Sequence, residues 1–230
     1  MEYTGLQFIP GRTNKRIEED HLERYKFASQ FVKNKRVLDI ACGVGYGSKI
    51  LKEAGALSVD GVDKSEEAIN FARNNYAINE MRFFASDAVE YHPDRQYDII
   101  VSFETIQYIK DFKILLKNFH DWLSDGGTLI ISASNRLITS PRSKTIFDRP
   151  AEKTYLQEFS VDELINALKD SGFILKGDYL FGQRQQKYFK NLYLRRLYKF
   201  IFKPDSKASP AVELLKKGKH PRYFLLKATK

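Results

Sequence analysis

A single cysteine, Cys42, stands in 230 residues, so no disulfide can form within the chain and a reducing compartment is its simplest setting. Cys42 itself reads as a small residue fitted to a tight turn, not as a nucleophile. No apolar run approaches the roughly 18 residues of a membrane-spanning helix. Met1-Glu2-Tyr3-Thr4 lacks both the basic stretch and the apolar core of a secretory leader, so the protein is expected in the cytoplasm. His, Cys and carboxylate positions show no metal-ligand spacing, and no metal site is assigned, although scattered carboxylates could still gather a divalent ion.

What is present fits one large domain over residues 1–230: 43% hydrophobic and 29% charged residues, ample for a buried core. The net charge of +9 is unevenly placed. From Gln183 to Lys230 there are fourteen Lys or Arg against two acids, a local charge of +12, and the rest of the chain carries −3.

The most informative stretch is Arg36 to Ser48, RVLDIACGVGYGS. A short apolar run containing Asp39 stops at Gly43, Gly45 and Gly47 and flows into an apolar-periodic segment, the pattern of strand, loop and helix. Glycines let backbone approach a ligand, and the first N–H groups of the helix point at it. The spacing is G-x-G-x-G, not the G-x-G-x-x-G of dinucleotide enzymes, which disfavours a nicotinamide dehydrogenase. A second strand ends at Gly61-Val62-Asp63, where a carboxylate is well placed for ribose hydroxyls.

These residues resemble the class I S-adenosylmethionine-dependent methyltransferases. The resemblance implies an α/β, Rossmann-like, doubly wound sheet of seven strands in the order 3-2-1-4-5-7-6 with the last strand antiparallel. It also implies S-adenosyl-L-methionine as cofactor, with contacts at Asp39, Ala41, Gly43, Gly45, Asp63 and Lys64. Ser86-Asp87-Ala88, after the third strand end at Phe83-Phe84-Ala85, matches the place where the family's acid meets the adenine amino group. Taken alone, Asp87 reads as a solvated helix cap.

Residues 3–12 read as an irregular arm, and Asn14 to Lys33 as a helix whose apolar positions are Ile17, Leu22, Tyr25, Phe27, Ala28, Phe31 and Val32. Pro-Gly followed by H-L-x-R-Y-x-F-A resembles bacterial methyltransferases of glycan and O-antigen synthesis, in which this helix caps the cofactor. That likeness implies Arg24 or Tyr25 at the methionine carboxylate and His21 near the acceptor; the bland reading of His21 is a solvated surface residue.

Downstream, a helix is expected from Ser48 to Ala54, a strand over 57–62, and a helix capped by Ser65 running to about Tyr76. Tyr97 to Phe103 reads as the fourth strand, with a helix from Glu104 to about Leu123. Phe103 and Glu104 end a central strand, over the crevice where open α/β sheets bind ligands. Ser102-Phe103-Glu104-Thr105 resembles the family's S-F-E-T, but Gln107-Tyr108 replaces its usual Glu-His, removing the most obvious general base. The catalytic candidates are His21, Glu104 and Tyr108.

Asp125-Gly126-Gly127 reads as a turn, 128–133 as the fifth strand, and 134–160 as an irregular loop shaping the acceptor pocket. Ser160 with Glu163 is a capping box opening a helix through Leu168. Strands are expected at 173–181 and 222–227, with a basic helical insertion at 183–221 between them. Within it, 188–203 interleaves apolar and basic residues at helical spacing, which suits an anionic membrane surface, nucleic acid phosphates, or packing and dimerisation.

The expected reaction is O-methylation of a sugar of a glycan or of its nucleotide- or lipid-linked precursor. Two alternatives stay open: a nucleic acid methyltransferase using the basic segment, although the N/D-P-P-Y/F motif of base-amine enzymes is missing, and a non-catalytic module that holds the cofactor and recruits partners. Peripheral membrane contact and oligomeric state are left open.

Overall fold

The structure is a computed structural model that describes residues 14–189, 191–204 and 208–230. The expected arm at 3–12 lies outside them. In chain order the elements are α1 (Lys15–Ala28), β1 (Arg36–Ile40), α2 (Tyr46–Glu53), β2 (Ser58–Asp63), α3 (Glu66–Asn75), β3 (Met81–Ala85), β4 (Tyr97–Phe103), α4 (Phe112–Trp122), β5 (Leu123–Ser134) and α5 (Arg136–Thr139). They continue with α6 (Val161–Asp170), β6 (Leu180–Gln183), β7 (Gln186–Lys187), α7 (Leu192–Phe202), β8 (Glu213–Leu214), β9 (Lys219–His220) and β10 (Tyr223–Thr229).

The main sheet has eight strands in the order β3-β2-β1-β4-β5-β10-β6-β8. Its first seven places follow the expected order, and β10 runs antiparallel to both neighbours. The expected count of seven is corrected by β8, a two-residue strand from the insertion that pairs with the edge of β6. The insertion is not simply helical either, since β7 and β9 form a separate two-stranded ribbon around α7. That ribbon delays the helix, which starts at Leu192 behind an Asn191 cap and not at 188.

Alternation along the central strands divides the core between the two faces of the sheet. Val37, Ile99 and Val101 pack with Tyr25, Phe27 and Leu51 on one face, while Leu38, Ile40 and Ile100 pack with Leu115, Phe119 and Leu164 on the other. Asp39 therefore projects to the same face as Val37, beneath α1 and α2. The expected caps form: Ser65 Oγ accepts from Ala68 N–H, and Ser160 and Glu163 make a reciprocal capping box.

Several boundaries move for identifiable reasons. α1 ends at Ala28, short of Lys33, and exposes Ile17 (42%) and Leu22 (39%) while burying Asp20 and Arg24. The helix expected from Glu104 breaks into a short 3-10 turn at Ile106–Tyr108 and α4, because the Gln107 carbonyl accepts from Leu156 and Gln157 and not from the next helical turn. Asp125-Gly126-Gly127 is a bulge inside β5, where register skips between Tyr97↔Leu123 and Ile99↔Thr128. β6 begins at Leu180, Ile174 making only an isolated bridge to Thr229. The 134–160 segment opens with α5, capped by Asn135.

Candidate functional site

The three glycines after β1 do three different things. A Cβ on Gly45 would meet Ala72 at 2.7 Å and Phe83 at 2.9 Å, so that glycine lets the loop settle on α3 and β3. A Cβ on Gly47 would fall inside the Tyr25 ring, so that glycine lets α1 lie on α2. At Gly43, φ is +56° and nothing lies within 4 Å of the Cβ position. It is the glycine that faces open space, and only there is the backbone left bare for a ligand. Ala41 shares the left-handed conformation, at φ 58°. Cys42 is buried, and burial with the nearby Asp39 pushes its thiol well above the usual range, which leaves it unreactive.

Above this loop lies α1. Tyr25 packs edge-on against Tyr46 and Phe103, at 5.4 and 5.1 Å between ring centres, and its hydroxyl donates to Asp39 at 3.1 Å. Ser48 donates to the other oxygen of Asp39 at 2.6 Å. Both donors are neutral, and burial raises the Asp39 carboxyl from 3.8 to about 7 in spite of them. Burial, helped by Asp39, also holds the Tyr25 phenol well above its ordinary range, so it stays a donor.

Arg24 is buried beside Tyr25. Its NH1 donates to Gln183 Oε1 at 2.7 Å, its guanidinium lies over the Tyr223 ring, and its Nε has no partner. A buried guanidinium with a spare N–H fits a carboxylate ligand, the Asp20 carboxylate nearby being bonded to Arg184. His21, one turn earlier, meets Tyr46 OH at 3.2 Å through Nδ1. Burial, reinforced by Arg24, depresses its pKa well below 6.5 and holds it neutral.

At the end of β2, Asp63 accepts from Gly43 N–H and Ser65 N–H, each at 2.9 Å, fixing the glycine loop to the start of α3. Lys64 is exposed. Ser86 N–H donates to the Asp63 carbonyl, and Asp87 Oδ1 accepts from Val89 N–H at 2.8 Å. Asp87 thus holds a turn and caps no helix, since none lies between β3 and β4, and its carboxylate retains further acceptor positions. Ala88 is buried next to it.

The opposite wall is built from Glu104. Its φ of 51° puts a residue with a Cβ in the left-handed region, a strain of about 1–2 kcal/mol. The carboxylate accepts from Ser132 at 2.9 Å, Ser134 at 3.0 Å and Gln107 Nε2 at 3.1 Å. Ser134 also touches Tyr155 OH, and Tyr155 stacks edge-on against Tyr108 at 5.1 Å. Burial, with Glu104 adding to it, raises the phenol pKa of both tyrosines. Gln107 Oε1 is buried and unpartnered, beside the amide nitrogen that reaches Glu104. Glu158 is 1% exposed with both oxygens unpartnered, next to Gln157, whose N–H donates to the Gln107 carbonyl.

The structure thus brings Arg24, Tyr25, Asp39, Gly43 and Phe103 together near the ends of β1 and β4, while Gly45 turns towards α3 and β3. Asp63 and Ser86–Ala88 lie further along the same edge, Glu104 and Tyr108 on the far wall, and His21 at the start of α2. Sequence reasoning missed Gln183, Glu158, Tyr155 and the two β5 serines. A polar residue closing an apolar strand, as in Phe181-Gly182-Gln183, was the available signal for Gln183. Among the described residues no three His, Cys, Asp or Glu side chains are grouped to hold a metal ion.

A doubly wound sheet with an open glycine, a carboxylate at the next strand end and a capping helix defines a Rossmann-like nucleotide-cofactor fold. Known proteins narrow this. A family model described as a methyltransferase domain matches residues 14–175, and the chain belongs to that family. It is 32% identical over 142 residues to phosphoethanolamine N-methyltransferase 1 of Arabidopsis thaliana, covering 60% of this chain and 28% of the relative. It is 31% identical over 138 residues to a probable S-adenosylmethionine-dependent methyltransferase of Mycobacterium tuberculosis, covering 60% of this chain and 48% of the relative. The chain spans about half, or less, of the length of the curated relatives it matches. An S-adenosylmethionine-dependent methyltransferase structure from Mesorhizobium loti superposes with TM-score 0.65 at 18% identity, covering 92% of this chain and 98% of the other, a likeness of fold. Other relatives carry the names of both N- and O-methyltransferases.

Proposed function

We propose that this chain methylates a hydroxyl group on a sugar of a glycan, or of its nucleotide- or lipid-linked precursor. The observation that carries this reading is the chemistry of the wall around Glu104. Gln107 Oε1, on the amide whose nitrogen donates to Glu104, is a buried acceptor without a partner, so the group that satisfies it must donate, and a polyol offers donors in several directions. An amine also donates, and it is the second reading.

S-adenosylmethionine supplies an electrophilic methyl group on a positively charged sulfur. Arg24 is the residue for its carboxylate, the bare backbone at Gly43 lets it approach the loop, Asp63 serves its ribose hydroxyls and Asp87 its adenine amino group. Asp39, Ala41, Gly45, Lys64, Ser86, Ala88 and Phe103 shape or border that pocket. Tyr25 closes it from above, and exclusion of water strengthens every polar contact beneath it.

Glu104 would receive the proton that the acceptor oxygen loses as its new bond to carbon forms, the old carbon–sulfur bond breaking with its electron pair left on sulfur. Ser132, Ser134 and Gln107 hold the carboxylate in one orientation, so little reorganisation accompanies the transfer. Tyr108 is a positioning group, because its raised pKa makes the phenolate a costly base. Neutral His21 positions Tyr46 at the start of α2.

The test is a panel of sugar nucleotides, lipid-linked sugars and amines incubated with the protein and S-adenosylmethionine and read by mass spectrometry. A methyl ether on a sugar is the expected product. Methylation confined to amines would replace the first reading by the second, and S-adenosylmethionine binding with no product on any acceptor would favour a non-catalytic module.

A further inference from the structure

Helix α7 is turned inside out. Among its described side chains the buried one is charged: Arg195 donates to the Ile138 carbonyl of α5 at 2.8 Å and lies over the Tyr188 ring at 5.2 Å. The outward arc carries Tyr193 (74% exposed), Phe200 (81%), Leu194, Leu197 and Ile201. Surface helices of a self-contained domain place such residues inward, and a contiguous exposed patch of this kind marks an interaction surface.

Arg196 flanks that arc and lines a cavity of about 400 Å³ together with Arg142 and Arg149 from the segment after α5. No acid lines the cavity, and none of the three guanidiniums has an ion-pair partner among the described residues. The segment is fixed in place: Ser140 accepts from Ala151 N–H at 2.7 Å, Ser143 donates to the Arg149 carbonyl at 3.1 Å, and Arg136 donates to the Ser143 carbonyl at 2.8 Å.

We infer that the outer face of α7, with Arg142, Arg149 and Arg196, docks the protein onto an anionic lipid bilayer. The aromatic and aliphatic side chains enter the headgroup boundary, and the guanidiniums meet lipid phosphates. Charge decides between this partner and a second copy of the chain. An interface between two copies would bring two sets of unpaired guanidiniums together, Arg196 in each belonging to the 183–230 segment that carries +12, whereas an anionic surface neutralises them. No helix among the described residues is long and apolar enough to cross a membrane, so the contact is peripheral. The inference is independent of which acceptor is methylated.

Flotation of the full chain with phosphatidylcholine vesicles, and with vesicles containing about one quarter phosphatidylglycerol, tests it. Expected is binding about a hundredfold tighter to the anionic vesicles, three guanidiniums each contributing roughly fivefold, and loss of that preference in high salt. Arg142→Gln/Arg149→Gln/Arg196→Gln should remove most of the preference. Phe200→Ser/Tyr193→Ser should weaken binding about tenfold. All five side chains project from the surface, and unchanged affinity for S-adenosylmethionine checks that the fold survives. Equal or absent binding to the two vesicle types overturns the inference. So does a dimer by light scattering that Phe200→Ser dissolves, or single-stranded RNA binding that outcompetes the vesicles.

Discussion

The two walls of the crevice are left incomplete in opposite senses. On the cofactor side the carboxylates already have donors: Asp39 takes Ser48 and Tyr25, and Asp63 takes two backbone N–H groups while keeping further lone pairs. What is left over there is a donor, Arg24 Nε. On the Glu104 side the leftover is an acceptor, Gln107 Oε1. A buried polar atom without a partner costs about 1–3 kcal/mol, so each wall is completed by a ligand of the opposite hydrogen-bonding character. One crevice can thus hold two different molecules without confusing them.

The largest effect is expected where the second wall does chemistry. Glu104→Gln keeps the size and the hydroxyl partners but cannot take a proton, and the turnover rate should fall about a thousandfold while calorimetry finds S-adenosylmethionine affinity nearly unchanged. Equal loss of both would erase the distinction between the walls.

Asp39 tests the claim that neutral donors alone satisfy the cofactor side. Its pKa is raised in the folded protein, from 3.8 to about 7, so its contribution to stability is full below about pH 4 and is lost as pH rises towards 7. Relative to Asp39→Asn, the wild type should lose on the order of 4 kcal/mol across that window, measured by urea unfolding at each pH. A flat difference would mean that a charged carboxylate is accommodated.

The glycines sharpen the comparison within one loop. Gly47→Ala must push the Tyr25 ring away and should cost about 3 kcal/mol by thermal unfolding. Gly43→Ala meets no atom and should cost only about 1 kcal/mol from its φ, its larger effect falling on cofactor binding. Arg24→Met leaves the loop untouched and is expected to weaken S-adenosylmethionine about thirtyfold, as for one charge-assisted hydrogen bond. An analogue lacking the carboxylate should bind wild type and variant alike.

Regions whose partners are near in sequence were legible. β1, the glycine loop and α2 announce themselves by spacing, and Ser65 and Ser160 cap helices a few residues away. The edge at Asp63 and the position of Glu104 followed from strand ends in an open sheet. α1 was not legible in the same way: its apolar positions suggested that Ile17 and Leu22 face inward, yet Asp20 and Arg24 do. Their partners, Arg184 and Gln183, lie far along the chain, and no local pattern encodes such a meeting. The short strands of the insertion escaped for the same reason, each being too brief to carry a period of two. The acceptor wall was half read, because Glu104 sits at a strand end while Glu158 and Tyr155 arrive on a segment without periodicity.

That long reach has a consequence for how the protein comes into being. Arg24 is held by Gln183, Gln183 also grips the Asp20 carbonyl at 2.9 Å, and Arg184 closes on the Asp20 carboxylate at 2.7 Å, across separations of 159, 163 and 164 residues. During synthesis the glycine loop emerges early, but its cover cannot lock until β6 has left the ribosome. A fragment that stops before Gln183 and Arg184 has the glycine loop but neither the Arg24–Gln183 nor the Asp20–Arg184 contact.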